Sequence, residues 1–334
     1  MEAYERLERE FGQWIGNPNT VACSSGTAAL HLALESLKLP PGSRVAVPEF
    51  TMVACARAVT LAGFTPWFVD CREDLLMDPE LLQRAPRQVK AVMPVHVYGR
   101  RCSMDRIHKV AQDRKWAVVE DLAEAHGVQP HPQTDAACWS FYKNKIVAGE
   151  EGGMIAFRDP HAACRARKLR SLGFTDAHDF LHIPRGHNYR LANCLALLVL
   201  ESLLRVDENL VRRRCLTYLY DSLIPEAWRM PPRDVDWVYD LRIPGMTTDQ
   251  QDRIVYSLNA AGVAARHAFK PMSHQREFRG YWHHLVATRM AREVIYLPVD
   301  PHLTEEDVRR AVDLLLAAVP PTLVVSDSLP PAAG

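Results

Sequence analysis

The alternation of short apolar runs with helical patterns between Val21 and about Arg158 constrains the fold most strongly. The predicted strands are apolar along their whole length: RVAVP at 44–48, TPWFVD at 65–70, VKAVMPVHVYG at 89–99 and WAVVED at 116–121. Helical patterns at 51–63 and 104–114 separate them. Strands without polar alternation are typical of a sheet covered by helices on both faces. The pattern therefore predicts an α/β domain with a mostly parallel sheet.

The pattern changes after Arg158. A helical segment at 161–173 and the irregular stretch HIPRGHNYR precede a long helical pattern from about 191 to 223, and a smaller set of strands and helices begins at 231. We therefore predict a large α/β domain over residues 1–225, from which the long helix leads out. The remainder is predicted as a small C-terminal α+β domain over 226–325 and a frayed Pro/Ala-rich tail over 326–334.

Composition excludes several classes of function. Forty basic residues balance forty acidic ones, so no electrostatic footprint for nucleic acid or an anionic membrane is present. The N-terminus is charged from its second residue, unlike a secretory signal, and the longest apolar stretch (191–204) is too short and polar to span a bilayer. The eight cysteines stand alone, which argues against a zinc site or disulfides. We expect a cytoplasmic protein.

Three local motifs could carry chemistry. In CSSGTAALHLALESL (23–37), small residues precede a helix whose N-terminus could bind a phosphate, and Gly26 would allow close approach. The competing interpretation is a Ser-capped helix start, and this motif alone favours it. In VVEDLAEAHG (118–127), Asp121 ends an apolar strand, where α/β sheets place ligands, although it could equally be a helix cap.

The third motif, CWSFYKNKIVAGEEGGMIAF (138–157), holds Lys143 and Lys145 in a short loop. A partly desolvated lysine could form a Schiff base, although most lysines are solvated surface charges. A phosphate-binding helix start, a strand-end aspartate and a loop lysine follow one another in the order that pyridoxal 5′-phosphate (PLP) requires. His96, His126 and His187 show no metal-ligand spacing, so no metal is expected.

Further motifs extend along nearly the whole chain, from roughly residue 4 to 318. They run in this order: YERLEREFGQWIG, SSGTAALHLAL, VAVPEFTMVA, MPVHVYGRRCSMDRI, VVEDLAEAHG, WSFYKNK with GEEGGM, GHNYRLAN, RHAFKPM and LPVDPHLTEEDV. Through them the chain resembles the DegT/DnrJ/EryC1/StrS family of sugar aminotransferases, which are fold-type-I PLP enzymes related to aspartate aminotransferase. The likeness is clearest in members that aminate nucleotide-linked 4-keto-6-deoxy sugars, such as GDP-perosamine synthases.

The resemblance implies a role for each matching residue. Lys145, rather than its rival Lys143, matches the Schiff-base lysine. Asp121 matches the partner of the pyridine nitrogen, and Glu124 occupies the Gln/Glu position near the ring oxygen. Met52 stands where relatives usually stack an aromatic residue on the cofactor ring, and a methionine sulfur can still pack there.

The resemblance also assigns the phosphate ligands. Gly26, Thr27 and Ser140 match those of the same subunit, and Asn188 matches an asparagine that reaches the phosphate of the neighbouring subunit. This implies a homodimer with shared active sites. Further departures from the family pattern are Glu150 for a glycine, Leu195 for a glutamine, Ser273 for a histidine and a short N-terminus. They fall largely on the substrate side and so bear on the acceptor.

The implied reaction is a two-stage, ping-pong transamination from an amino acid, by analogy L-glutamate, to a keto-sugar. Three alternatives remain open. The acceptor could be a cyclitol or another non-nucleotide ketone. The chain could be a PLP-dependent sugar dehydratase, although the resemblance implies a histidine at the lysine position there, and Lys145 argues against it. Finally, it could be a catalytically weak PLP-binding sensor protein.

Overall fold

The computed structural model describes residues 2–174, 180–183, 185–280 and 285–323, so the predicted tail lies outside the described residues. The helices are α1 (Ala3–Ile15), α2 (Gly26–Ser36), α3 (Val53–Leu61), α4 (Met104–Arg114), α5 (Pro160–Arg170), α6 (Asn193–Leu204), α7 (Val206–Leu223), α8 (Thr248–Ala260), α9 (Leu285–Glu293) and α10 (Glu305–Ala318). None of the helices within these ranges combines the length and apolar character that crossing a bilayer needs.

Ten strands form two sheets in the described part of the chain. They are β1 (Thr20–Cys23), β2 (Arg44–Pro48), β3 (Thr65–Val69), β4 (Val89–Val92), β5 (Ala117–Asp121), β6 (Ala136–Ser140), β7 (Gly153–Phe157), β8 (Tyr239–Arg242), β9 (Arg266–His267) and β10 (Val294–Leu297). The large sheet has the order β1-β7-β6-β5-β4-β2-β3. Every pairing from β3 to β6 is parallel, and only β7 runs antiparallel to its neighbours β6 and β1. The predicted α/β fold with a mostly parallel sheet is confirmed.

The direction of the strands brings several chain segments to one edge of the sheet. The carboxyl ends of β2, β4, β5 and β6 share this edge, because these strands are parallel. The carboxyl end of β1 lies at the same edge. Its last residue, Cys23, pairs with Gly153 at the start of β7, and Ser140 at the end of β6 pairs with the same glycine. Loops that follow these five strands therefore meet in one place.

Two predicted elements differ from the structure. The strand predicted over 89–99 ends at Val92, shortly before Pro94, which has no N–H group to extend the ladder. The helical pattern at about 191–223 forms two helices, α6 and α7, joined at Arg205 with φ −107° and ψ 9°. The second helix has Asp207 and Glu208 in its first turn, where negative charge favours a new helix start.

The three-stranded antiparallel sheet has the order β8-β10-β9. Its own apolar core is formed with α7, α8 and α10, and includes Tyr220, Leu241 and Leu315. The same C-terminal region also contributes Trp237 and Met272 to the core of the large sheet. The boundary predicted at residue 225 stays a prediction, because the C-terminal region packs into both cores.

Candidate active site

A cavity of about 380 Å³ lies where the loops meet at the carboxyl edge of the large sheet. Seven of the predicted site residues line it: Gly26, Thr27, Met52, Asp121, Glu124, Ser140 and Lys145. They come from four separate stretches of the chain. The structure therefore brings together residues that the sequence places far apart.

The start of α2 forms one wall of this pocket. Ser25 caps the helix, with its side-chain oxygen accepting a hydrogen bond from the Ala28 N–H at 3.1 Å. The N–H groups of the first helical turn have no acceptor within the helix, and they are suited to bind an anion. A Cβ atom on Gly26 would lie only 2.7 Å from Cβ of Ser140, so only glycine lets the helix start approach the end of β6 this closely.

Asp121 is held in place at the end of β5. It is buried, and its Oδ1 accepts a hydrogen bond from the Ala123 N–H at 2.9 Å. Its Oδ2 accepts one from the Cys55 thiol at 3.1 Å. Burial and the Asp121 carboxylate raise the pKa of Cys55 well above its usual range, so this thiol stays a donor. The carboxylate is thereby oriented at the pocket wall, where it also acts electrostatically on Lys145.

The loop after β6 distinguishes the two candidate lysines. Lys145 lines the pocket with a side chain only 11% exposed, whereas Lys143 is exposed and its Nζ lies 6.0 Å from the Tyr142 ring centroid. Burial lowers the pKa of Lys145, and the nearby carboxylates of Glu124 and Asp121 oppose this shift. A lysine with a lowered pKa carries more of its amine in the neutral, nucleophilic form.

Glu124 faces this lysine from the turn after β5. Its Oε1 lies 3.7 Å from Nζ of Lys145, and its Oε2 accepts a hydrogen bond from the Tyr98 N–H at 2.9 Å. Burial raises the pKa of Glu124 to about 7, although Lys145 opposes the shift. The carboxyl group can therefore gain or lose a proton near neutral pH.

Aromatic residues from the C-terminal half close the pocket. Nζ of Lys145 lies 3.9 Å from the ring centroid of Trp237, whose indole N–H donates to the Asn144 carbonyl at 2.7 Å. Phe269 and Tyr296 also line the cavity. These contacts hold the lysine loop against the C-terminal region and exclude water from one side of the amine.

The remaining predicted residues lie at the margin of the pocket or beyond it. Met52 is 52% exposed at the pocket wall. Asn188 is exposed outside the cavity, in a bridge with Ser171. Ser273 donates from its N–H to Oε1 of Glu49 at 2.8 Å, and Glu150 is exposed with φ of 64°. The structure thus brings neither Asn188 nor Ser273 to the wall of the cavity within one subunit.

Several residues of the site were not identified from the sequence. Trp237 and Tyr296 lie more than 90 positions after Lys145 and outside every motif, and Phe269 lies in the motif RHAFKPM without a role assigned to it. Cys55 sits inside a predicted helix, where a lone cysteine carries no signal. Other lining residues, among them Tyr142, Asn144 and Glu151, could have been found, because they lie within the motif that contains Lys145.

The side chains present fit PLP. A phosphate matches the α2 start, where the missing Cβ of Gly26 leaves a cradle beside Ser140. A protonated ring nitrogen matches the buried carboxylate of Asp121. The Lys145 amine lies in the same cavity, within reach of an aldehyde bound there.

Known proteins resemble this chain over most of its length. The DegT/DnrJ/EryC1/StrS aminotransferase family matches residues 2–316. The GDP-perosamine synthase of Caulobacter vibrioides is 33% identical over 330 residues, which cover 92% of this chain and 88% of that protein. The UDP-N-acetyl-3-dehydro-alpha-D-glucosamine 3-aminotransferase of Acidithiobacillus ferrooxidans is 32% identical over 324 residues, covering 92% and 86% of the two chains.

A solved structure shows the same fold. The X-ray structure of DesV from S. venezuelae, in complex with a ketimine intermediate, superposes with a TM-score of 0.86 at 28% identity and covers 95% of this chain and 90% of that one. The family match spans both the phosphate-binding helix start and the lysine loop. The chain therefore belongs to the DegT/DnrJ/EryC1/StrS aminotransferase family and is a PLP-dependent aminotransferase.

Proposed function

We propose that the enzyme transfers an amino group from L-glutamate to a keto-sugar, and that the acceptor is a nucleotide-linked 4-keto-6-deoxy sugar. The observation that carries the proposal is the placement of the Lys145 amine in one pocket with Asp121, Glu124 and the start of α2. The names of two relatives support a nucleotide-linked acceptor, since one makes GDP-perosamine and the other aminates a UDP-linked sugar.

The proposal assigns each part of PLP to its own residues. Gly26, Thr27 and Ser140 bind the phosphate, and Asp121 pairs with the protonated ring nitrogen. Glu124 would lie near the ring oxygen, and Lys145 would bind the aldehyde carbon covalently; both residues line the cavity. When bound, PLP supplies an aldehyde that accepts the amino group and a ring that stabilises negative charge on the reacting carbon.

The neighbouring subunit completes the proposed site. Asn188 is exposed and lies outside the cavity of its own chain, as expected of a residue that reaches a second copy. We therefore infer a homodimer in which the partner's asparagine contacts the phosphate. A cytoplasmic location stays a prediction from the sequence.

Lys145 moves the proton in this proposal. Burial lowers the pKa of Lys145, so that its Nζ can accept a proton from the α-carbon of the amino donor. Glu124, with its pKa raised to about 7, lies 3.7 Å from Nζ and can balance the charge of the amine as its protonation changes. Trp237 lies against Nζ and keeps water away from it. The two half-reactions share one site, so ping-pong kinetics follow.

Half-reactions followed by absorbance test this function. Protein loaded with PLP is mixed with L-glutamate, and loss of the visible cofactor band is expected. Nucleotide-linked 4-keto-6-deoxy sugars should then restore the band, whereas cyclitol ketones should not. Restoration by the cyclitol ketones alone would contradict the proposed acceptor, and an unchanged band with every amino donor would contradict the proposed function.

A further inference from the structure

Three side chains converge on the second half of α2, beyond Leu30 and outside the set of residues that line the cofactor pocket. His31 and Glu35 lie four residues apart on the helix, and His187 reaches them from a segment 152 positions from Glu35. Nε2 of His187 lies 2.8 Å from one carboxylate oxygen of Glu35, and Nε2 of His31 lies 3.5 Å from the other. One ligand atom from each residue lies within 4.8 Å of the other two.

The environment of the His31 ring indicates that the cluster lacks a positive charge. The ring is 2% exposed, and its Nδ1 lies 3.2 Å from the Tyr189 hydroxyl. Its Nε2 is buried and, within the described part of the chain, has no hydrogen-bond partner. If Nδ1 donates to Tyr189, a lone pair on Nε2 faces the Glu35 carboxylate. Two electron-rich atoms at this distance are stabilised by a positive charge between them.

We propose that His31, Glu35 and His187 together bind one divalent transition-metal ion of the zinc class. Two imidazoles and a carboxylate are ligands that zinc prefers. Tetrahedral zinc needs neighbouring ligand atoms about 3.3 Å apart, so the three side chains, whose ligand atoms lie within 4.8 Å of one another, would rotate toward a common centre on binding the ion. Three protein ligands leave a fourth position for water.

Tyr189 contacts both histidines of the proposed site and would orient them for binding the ion. A metal-bound histidine almost always donates its other ring N–H, and the Tyr189 hydroxyl is placed to accept it from Nδ1 of His31. The Tyr189 ring also stacks on His187, with centroids 4.9 Å apart and an angle of 15°. His187 and Glu35 are each 25% exposed at the side chain, which leaves a route for the ion to enter.

The site would join two parts of the proposed active site. The backbone of Tyr189 accepts a hydrogen bond from the Ser24 N–H at 2.8 Å, next to the residue that caps α2. Asn188 lies between His187 and Tyr189 and would be held with them. The ion would thus fasten the segment that carries Asn188 to the helix whose start binds the phosphate. The ion site itself does not depend on the proposed acceptor.

No metal is expected from the sequence, because no two of His96, His126 and His187 have ligand spacing. The helical His31–Glu35 spacing was present, but the third ligand comes from a distant segment, so the sequence alone did not show the cluster.

Zinc titration of the metal-free, full-length protein tests the site. We expect one tightly bound Zn²⁺ per chain, measured against a competing chelator dye. Glu35→Gln and His187→Gln should each weaken binding by more than about 100-fold, and Tyr189→Phe by about 10-fold. Zinc should also raise the melting temperature of the wild type but not that of the two ligand variants.

The matched control is His267→Gln. Nε2 of His267 forms an exposed pair with Asp252 at 2.8 Å, so this variant also removes one histidine from a histidine–carboxylate pair. It should bind zinc like the wild type. An equal loss in His267→Gln, wild-type affinity in Glu35→Gln and His187→Gln, or no tight zinc binding by the wild type would overturn the proposal.

Discussion

Nζ of Lys145 lies 3.7 Å from Oε1 of Glu124, and both side chains are largely buried. Each affects the protonation of the other. Glu124 raises the pKa of Lys145 against the larger lowering effect of burial, while Lys145 lowers the pKa of Glu124, which burial raises to about 7. The Glu124 carboxylate therefore opposes the neutralisation of the amine that burial favours.

Glu124→Gln removes this carboxylate while keeping an amide of similar shape. The pKa of Lys145 should fall further, since burial is then opposed by Asp121 and, more weakly, by Cys55. More of the amine is then neutral at a given pH. The rate at which metal-free apoprotein reacts with PLP should therefore begin to fall only at a lower pH than in the wild type. The pH profile of that rate measures the shift. A profile displaced to higher pH would contradict the account.

Gly26→Ala places a Cβ 2.7 Å from Cβ of Ser140. We expect a loss of about 1–3 kcal/mol in the free energy of unfolding, as for other overpacked sites, together with weaker PLP binding. Adding Ser140→Gly removes the clashing atom and should recover most of the stability, but not the PLP affinity, because the hydroxyl is lost. Equal stability of Gly26→Ala and the wild type in denaturant titrations would argue against the close approach.

Met52 is half-exposed at the pocket wall, where the family resemblance places an aromatic ring. Met52→Tyr should tighten PLP binding about 2- to 10-fold if the ring stacks on the cofactor, as aromatic pairs add about 0.5–1.5 kcal/mol. Met52→Leu should leave the affinity nearly unchanged. Fluorescence titration of apoprotein gives both dissociation constants. Weaker binding in the tyrosine variant would show that Met52 does not face the ring.

Asp240 on β8 joins the two sheets through buried ion pairs. Arg100, from the loop after β4, donates to its two oxygens at 2.7 and 3.0 Å, and Arg233 donates to Oδ1 at 2.7 Å. Asp240→Asn leaves these arginines uncompensated, so we expect a loss of about 3–5 kcal/mol in the free energy of unfolding. The exposed pair of Arg205 and Glu201 is the control, and Glu201→Gln should cost no more than about 0.5 kcal/mol.

The same variant makes a prediction for pH. Burial favours the neutral form of Asp240, but Arg100 and Arg233 more than offset it and hold the pKa of Asp240 below its usual range. Its contribution is therefore complete above about pH 4 and is lost only as pH falls through the lowered pKa. Stability of Asp240→Asn should depend less on acid than that of the wild type. If the free energies of unfolding of the variant and the wild type, measured by chemical denaturation, fell equally with decreasing pH, the prediction would be wrong.

The sequence predicts those elements whose patterns are local. The strand at 44–48 and the helix at 104–114 have the predicted bounds, because apolar runs and helical periodicity depend only on residues close together in the sequence. The break at Arg205 was missed, since apolar periodicity continues on both sides of it and only the acidic turn at Asp207 and Glu208 marks a new start.

The pocket residues that the sequence predicts likewise belong to local motifs. Lys145, Asp121 and Gly26 each belong to a local motif at a strand or helix end, so the sequence could nominate them, and the topology brings them together. Trp237 and Tyr296 reach the pocket through the packing of the C-terminal region, which no local pattern encodes. The roles assigned to the individual side chains stay predictions that the variants above address.

The most direct test of the account asks which lysine binds the cofactor. Borohydride reduction of PLP-loaded protein, followed by peptide mapping, should find the adduct on Lys145 in the wild type and in Lys143→Ala, whose side chain lies outside the pocket. Lys145→Ala should yield no adduct and no glutamate-dependent change in absorbance. An adduct on Lys143, or wild-type transamination by Lys145→Ala, would contradict the central claim.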